Sequence, residues 1–386
     1  MGTVKYNEKR KYWEVRYDAA RHGDGERNQK YKGGFTRKRD AEAFLAEQET
    51  NINRGVYIDP QKTFVFEYLI GWLEDKKDTI SPTTYSGYEI NIRCHINPYV
   101  GGLRLQELKP PHIRNLYQQL KKDRKIKIGG KVRQFKKLSN TSIQYIHRVL
   151  SKALEDAFRE EIIAKNPAKL VTPPTPDRFE AGFLTVSQIK KMLDCFENDD
   201  MLLPVMLAVA LGLRRSEVLG LQWADINFKN KIIRIRHTYI IEEGKPELKK
   251  KTKTDSSRRD IVITDNLVKI LRRQKARQKV VRLRLGNLYH KSDFVCTWPD
   301  GKPFSPSHVS RNFTKRMTKY KLPAIRFHDL RHSNAALMLS QNIPMKGASD
   351  RLGHSTIQIT SDLYGHVERS VQEDIAKKID SAIWGD

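Results

Sequence analysis

Two guanidiniums, two imidazoles and one phenol could act together on a phosphodiester. They are Arg214 in Gly-Leu-Arg-Arg-Ser-Glu, His328 and Arg331 in His-Asp-Leu-Arg-His, His354 in Leu-Gly-His, and Tyr364 in Tyr-Gly-His. A guanidinium presents a rigid fork of donors that matches two non-bridging phosphate oxygens, so a pair can hold a pentavalent phosphorane and its added negative charge. Tyr364 supplies a nucleophile. Because a phenol ionises only near about pH 10 in water, it needs neighbouring cations to attack at neutral pH. His328 and Arg331 lie three positions apart, on one face if that segment is helical, and so converge on one phosphate while Arg214 grips its other side. Glu217 is placed to orient Arg214, and His332 and His366 flank the motifs as supporting groups. Taken singly, each residue has an ordinary explanation: Arg214 with Glu217 as a surface pair, His328 as a helix cap, Tyr364 as a half-buried tyrosine.

Composition narrows the partner. The chain of 386 residues is long enough for two or three ordinary cores, and its 72 Lys plus Arg against 45 Asp plus Glu leave a net charge of +27. Self-repulsion of that size opposes compaction, so a polyanion is implied. Membrane is the rival polyanion, but the longest apolar run, Met201 to Leu213, contains Pro204 and is too short to span a bilayer. It reads as a buried helix delivering Arg214. No apolar signal segment follows Met1, and the three cysteines, Cys94, Cys195 and Cys296, are too far apart for a disulfide framework or a zinc ribbon, so a cytoplasmic location is expected. Ile128-Gly129-Gly130-Lys131 lacks the first glycine and the hydroxyl residue of a P-loop, so no nucleotide cofactor is implied. The motifs hold cations where a two-metal nuclease needs clustered carboxylates, so no metal is implied either.

The positioning elements fall into three groups. Trp13, Val15 and Tyr17 alternate with Glu14 and Arg16 as in a half-buried strand, Gly23 and Gly25 mark a turn before Gln29 to Tyr31, and Thr36 suits the N-cap of a helix. Arg16, Lys30 and Lys32 make this small sheet basic. From Thr63 the period becomes helical: Phe64, Phe66, Tyr68, Leu69 and Trp72 fit one helix, Ser81-Pro82 starts another, Pro110 a third and Asn140 a fourth running towards Glu160. Between the last two lies a basic stretch, including Lys121, Lys122, Arg124, Lys125, Lys136 and Lys137, expected to be a flexible loop beside a duplex. The prolines of Val171-Thr172-Pro173-Pro174-Thr175-Pro176 make an extended strap. Beyond it, Thr185 caps a helix and strand-like segments, Ile232 to Ile241 and Asp260 to Ile263, sit among helices, which argues an α+β domain.

The order and spacing of these motifs resemble the tyrosine recombinases, the family that includes phage integrases and the integrases of integrative conjugative elements. The resemblance is strongest from Phe183 onward. It implies a multidomain protein: an N-terminal arm-type DNA-binding domain over residues 1–57, a three-stranded β-sheet plus a helix; an all-α core-binding domain over 58–170; a linker over 171–178; and an α+β catalytic domain over 179–386. It further implies that Tyr364 forms a 3′-phosphotyrosine, that Arg214, His328, Arg331 and His354 hold the phosphate, and that a lysine on a β-hairpin protonates the leaving 5′ oxygen. Lys253 fits that place best, with Lys250 and Lys251 as neighbours of the same type that bind DNA or compete for the role. The partners it implies are double-stranded DNA at core and arm-type sites, three further copies of the chain in a synaptic tetramer, an excisionase and a host DNA-bending protein. The apolar stripe Val371, Ile375, Ala376, Ile379, Ala382, Ile383 and Trp384 reads as a docking helix, used in cis or in trans. Rival readings are a type IB topoisomerase and a DNA-binding protein of the family that no longer cuts.

Overall fold

The computed structural model describes residues 2–19, 29–53, 57–58, 61–176, 182–242, 245–250, 258–353, 380 and 383–384. They belong to two compact units, Met1–Arg178 and Phe179–Asp386.

The first unit opens with strands β1 (Thr3–Asn7), β2 (Tyr12–Asp18) and β3 (Gln29–Phe35), paired antiparallel in that order, and helix α1 (Lys38–Asn53). Val15 and Tyr17 pack with Ala41 and Phe44, while Arg16 between them faces solvent. Glu14 breaks the expected alternation, for it is buried too. Its carboxylate accepts hydrogen bonds from Asn7 Nδ2 at 3.0 Å and Tyr31 Oη at 3.1 Å, which offsets its desolvation. The pairing of β2 with β3 shifts register between Trp13 and Val15, where Gly34 takes a φ of +94°. The turn assigned to Gly23 and Gly25 lies outside the described residues.

The helical part comprises α2 (Val65–Asp75), α3 (Pro82–Asn91), a π-helical turn at Ile92–Ile96, α4 (Asn97–Val100), α5 (Pro110–Leu120) and α6 (Asn140–Arg159). Ser81 Oγ accepts from Thr84 N at 3.3 Å, the cap its sequence predicts. Leu69, Ile96, Ile113, Leu116, Ile146 and Leu150 form the core, and Trp72 Nε1 donates to Asp156 Oδ2 at 2.8 Å to tie α2 to α6. Phe64 and Phe66 depart from expectation: α2 starts between them, and both rings are exposed, stacked 6.0 Å apart.

The basic stretch is not a flexible loop. It folds as an antiparallel hairpin, β4 (Arg124–Ile128) and β5 (Lys131–Phe135), turning at Gly129 and Gly130 with φ of +56° and +79°. Two successive positive φ values give a turn that matches strand twist, and only glycine takes both without strain. Ile126, Ile128 and Val132 supply β-branched residues between the lysines. Arg124 is also corrected: it is buried at the root of the hairpin, with Nη1 donating to Leu120 O at 3.1 Å, Nη2 within 2.9 Å of His95 Nδ1 and the guanidinium over Phe135. It holds the hairpin to the helices instead of facing outward.

The second unit begins with α7 (Val186–Cys195), capped by Thr185, and α8 (Leu202–Leu211), whose apolar sequence reflects burial nearly all round. Then come α9 (Arg215–Gly220), β6 (Ile226–Asn227), β7 (Ile232–Ile235), β8 (His237–Glu242), β9 (Lys245–Lys250) and β10 (Arg259–Val262). Strands β10, β7 and β6 form one antiparallel sheet in that order, and β8 with β9 a separate hairpin. Helices α10 (Asp265–Leu285), α11 (Pro306–Lys319), α12 (Asp329–Ser340) and α13 (Met345–Leu352) complete the described part. No helix among the described residues is long and apolar enough to cross a membrane. The cysteines are free thiols: Cys94 is buried in the helical core, Cys296 in the core of the second unit, and Cys195 is half-buried on α7.

Gly212 ends α8 in the left-handed region, φ +64°, and a Cβ there would lie 2.3 Å from Leu352 Cδ2 and 2.6 Å from Asn334 Oδ1. Left-handed backbone costs an L-residue roughly 1–2 kcal/mol before any clash. Gly212→Ala is therefore expected to destabilise the chain by more than about 1 kcal/mol, seen as a lower urea midpoint at unchanged slope.

Candidate active site

The turn at Gly212 sets the first half of the site. It aims Leu213 inward and leaves Arg214 at the N-cap position of α9. Arg214 Nη1 donates to Glu217 Oε1 at 2.9 Å, its Nη2 to Gly353 O at 2.9 Å, and its backbone N to Glu217 Oε2 at 3.1 Å. Glu217 is 1% exposed, which rules out a surface ion pair. The Arg214 side chain keeps 37% of its surface open, so a fixed guanidinium still faces solvent.

Helix α12 sets the second half. His328 occupies its N-cap position, Arg331 N bonds back to His328 O at 3.1 Å, and Asn334 Nδ2 fastens the helix to Val209 O of α8 at 2.8 Å. Arg331 is 2% exposed, with Nη1 donating to Gly212 O at 2.7 Å. Its Nη2 is buried with no hydrogen-bond partner among the described residues. A buried unmet donor costs on the order of 1–3 kcal/mol, more when charged, so an acceptor brought to this atom would offset that cost. Burial, followed by the positive charge of Arg214, pushes Arg331 down to about 9, which leaves it charged at neutral pH.

His328 lies with its ring centroid 5.2 Å from that of His332, edge to face. Desolvation by surrounding protein, then the positive charges of His332 and Arg331, push the His328 imidazole down to about 4. The residue as a whole is exposed, so the desolvation is partial, and the like charges act in the same direction. His332 shifts down for the same first reason and has a buried Nδ1 with no partner among the described residues.

The structure thus brings Arg214, Glu217, His328, Arg331 and His332 together. Lys251, Lys253, His354, Tyr364 and His366 lie outside the described residues, as does the side chain of Lys250. Of the C-terminal stripe only Ile383 and Trp384 are described, both exposed. Among the remaining basic candidates, Arg16, Lys32, Lys121, Lys122, Lys125, Lys136 and Lys137 are exposed, and Lys30 is half-buried. The structure adds one residue that is not among the candidates, although it closes the lysine-rich hairpin motif: Arg259, whose Nη2 donates to Glu217 Oε2 at 2.9 Å and whose Nε donates to Arg351 O at 2.8 Å. Its position at the end of the lysine-rich segment and the start of a strand is the signal that could have found it.

Comparison with known proteins fits this geometry. The pattern of the phage integrase family matches residues 182–370, that of the phage integrase N-terminal SAM-like domain residues 64–121, and that of an arm DNA-binding domain residues 3–52. The chain belongs to the phage integrase family. It is 29% identical over 377 residues to a tyrosine recombinase XerC-like protein of Caldanaerobacter subterraneus, covering 93% of each chain. It is 28% identical over 323 residues to the ICEBs1 integrase of Bacillus subtilis, covering 83% of each. Among solved structures, the Tn1549 transposon integrase in complex with transposon right end DNA superposes with a TM-score of 0.66 at 20% identity, covering 81% of this chain and all of that one. A lambda integrase tetramer bound to a Holliday junction superposes with a TM-score of 0.52 at 19% identity, over 92% of this chain and 95% of that one. This family member therefore has the multidomain tyrosine-recombinase fold and is a site-specific recombinase acting on DNA.

The depressed His328 fixes the sign of one pH effect. Its folded form resists protonation, so its contribution to stability is full above the ordinary histidine range, about 6.5, and is lost as pH falls towards about 4. The melting temperature is expected to fall more steeply over that window in the native chain than in His328→Gln, by calorimetry across a pH series. Equal slopes would place the titration on other groups.

Proposed function

We propose that this chain is the integrase of a mobile element, cutting and rejoining DNA at attachment sites through a covalent bond to Tyr364. The supporting observation is the pair of guanidiniums, Arg214 on Glu217 and Gly353 O, Arg331 on Gly212 O, fixed beside His328. Both are already oriented by protein acceptors, so they meet a phosphate with little reorganisation. Arg331 offers its buried Nη2 to one non-bridging oxygen, Arg214 approaches another from the open side, and His328 and His354 complete the donors. The cations favour the Tyr364 phenolate. Its oxygen attacks phosphorus, the bond to the 5′ oxygen breaks, and Lys253 delivers the proton that oxygen needs. The phosphoester energy stays in the 3′-phosphotyrosine, so the 5′-hydroxyl of another strand can reverse the step without a nucleotide.

In this reading residues 1–57 bind arm-type sites, 58–170 the core site, 171–178 link them to the catalytic domain at 179–386, and the stripe from Val371 to Trp384 docks on a neighbouring copy within a tetramer. An excisionase and a host bending protein set direction. The matched arm domain favours an integrase over a topoisomerase, which needs no second class of site.

Covalent trapping on a nicked suicide duplex tests the chemistry. Tyr364→Phe is expected to abolish the adduct while leaving duplex binding intact, and Arg214→Lys to slow adduct formation by roughly a hundred- to a thousand-fold. An adduct persisting in Tyr364→Phe would remove that residue from the reaction. Strand exchange between two sites then separates recombinase from topoisomerase.

The hairpin generates a binding prediction. Replacing Lys125 and Lys127 of the hairpin, with Lys136 and Lys137 just beyond it, by glutamine should weaken core-site binding and flatten the plot of log affinity against log salt by about 0.9 for each phosphate that is no longer neutralised. An unchanged salt slope would put the hairpin away from DNA.

A further inference from the structure

Arg259 begins β10, paired across from Ile235 of β7, and immediately follows the segment that carries Lys253. Its side chain is 8% exposed. One face of its guanidinium grips the Glu217 carboxylate, Nη2 to Oε2 at 2.9 Å and Nη1 to Oε1 at 3.4 Å, while Nε reaches Arg351 O at 2.8 Å. Arg214 holds the other side of Glu217 and bonds Gly353 O. Two guanidiniums sharing one carboxylate therefore seize the last carbonyls of α13, two residues apart, just where the chain leaves for His354 and Tyr364.

Helix α13 does not need this clamp to exist. Gly353 closes it in the left-handed conformation, its N–H bonding Ser349 O at 2.8 Å, and Ala348 and Leu352 pack it against α12. Nor is stability a simple account of three cations here, since burial, Arg214 and Arg259 all disfavour the charge on Arg331 and only Glu217 opposes them. Buried ion pairs of this kind are weak stabilisers, whereas they fix geometry well.

We propose that Arg259 is a positioning residue for strand cleavage: through Glu217 and the Arg351 carbonyl, it locks the exit of α13, and so the start of the nucleophile-bearing segment, onto the Arg214 side of the phosphate site. The inference rests on the recombinase reading above and adds a residue that never touches the DNA. A lysine in its place would keep the charge beside Glu217 but could not span both acceptors.

The test uses the full chain as Arg259→Lys and Arg259→Gln, measuring single-site duplex affinity, melting temperature and the single-turnover rate of adduct formation at saturating protein on a nicked suicide duplex. A second duplex carries sulfur in place of the bridging 5′ oxygen, a leaving group that departs without a proton. Affinity is expected to stay near native, and Arg259→Lys to keep native melting. Both variants should form adduct about 10- to 100-fold more slowly, by analogy with the loss of a group that orients a metal ligand, and the sulfur duplex should not restore them. A native rate in Arg259→Lys overturns the proposal. So does rescue by sulfur, which would place the effect on the proton donor, or a rate that falls only in step with melting and affinity. Tyr364→Phe runs alongside: an adduct in that variant defeats the assignment of Tyr364 as nucleophile, the part of the reading above on which the proposal rests, whatever Arg259 does.

Discussion

A fully buried carboxylate is costly unless positive charge surrounds it, and Glu217 is surrounded on two sides. Much of the second unit is arranged to meet that requirement. Helix α8 delivers Arg214, strand β10 delivers Arg259, and the end of α13 accepts what remains of both forks. With Arg331 anchored on Gly212 O, the cations are held apart by fixed acceptors although they repel one another. In the proposed reading, a phosphodiester entering this space would relieve that repulsion, so the same arrangement would favour the charged transition state.

The elements that place these groups are largely legible in the sequence. The apolar run ending at Leu213 could only be an interior helix, and the caps Ser81 and Thr185 announce their helices through side chains that accept from the third residue on. The hairpin is hidden because lysines dominate its composition, although the paired glycines at 129 and 130 carry the turn signal. Arg124 misleads for a related reason: sequence shows that an arginine is there, not that its fork has a carbonyl and an imidazole within reach inside the fold.

The site is legible as a set of residue types, less so as a mechanism of support. Order and spacing single out Arg214, His328 and Arg331, and the structure brings them together. Arg259 escapes such a reading because its partners, Glu217 and Arg351, lie 42 and 92 residues away, and pairings of that range are set by tertiary packing, not local pattern. Glu14 in the N-terminal sheet is a smaller case, a carboxylate at an outward position drawn inside by Asn7 and Tyr31.

The three thiols make the chain its own reporter of opening. Cys94 sits in the helical core, Cys296 in the core of the second unit with burial pushing its thiol up, and Cys195 half-open on α7. Only a thiolate reacts readily with an alkylating reagent, so under native conditions Cys195 is modified first. The other two become reactive only when their own core admits solvent. A mass spectrum taken during mild denaturation therefore reads, from which cysteine carries the label, whether the helical part or the catalytic part gave way first.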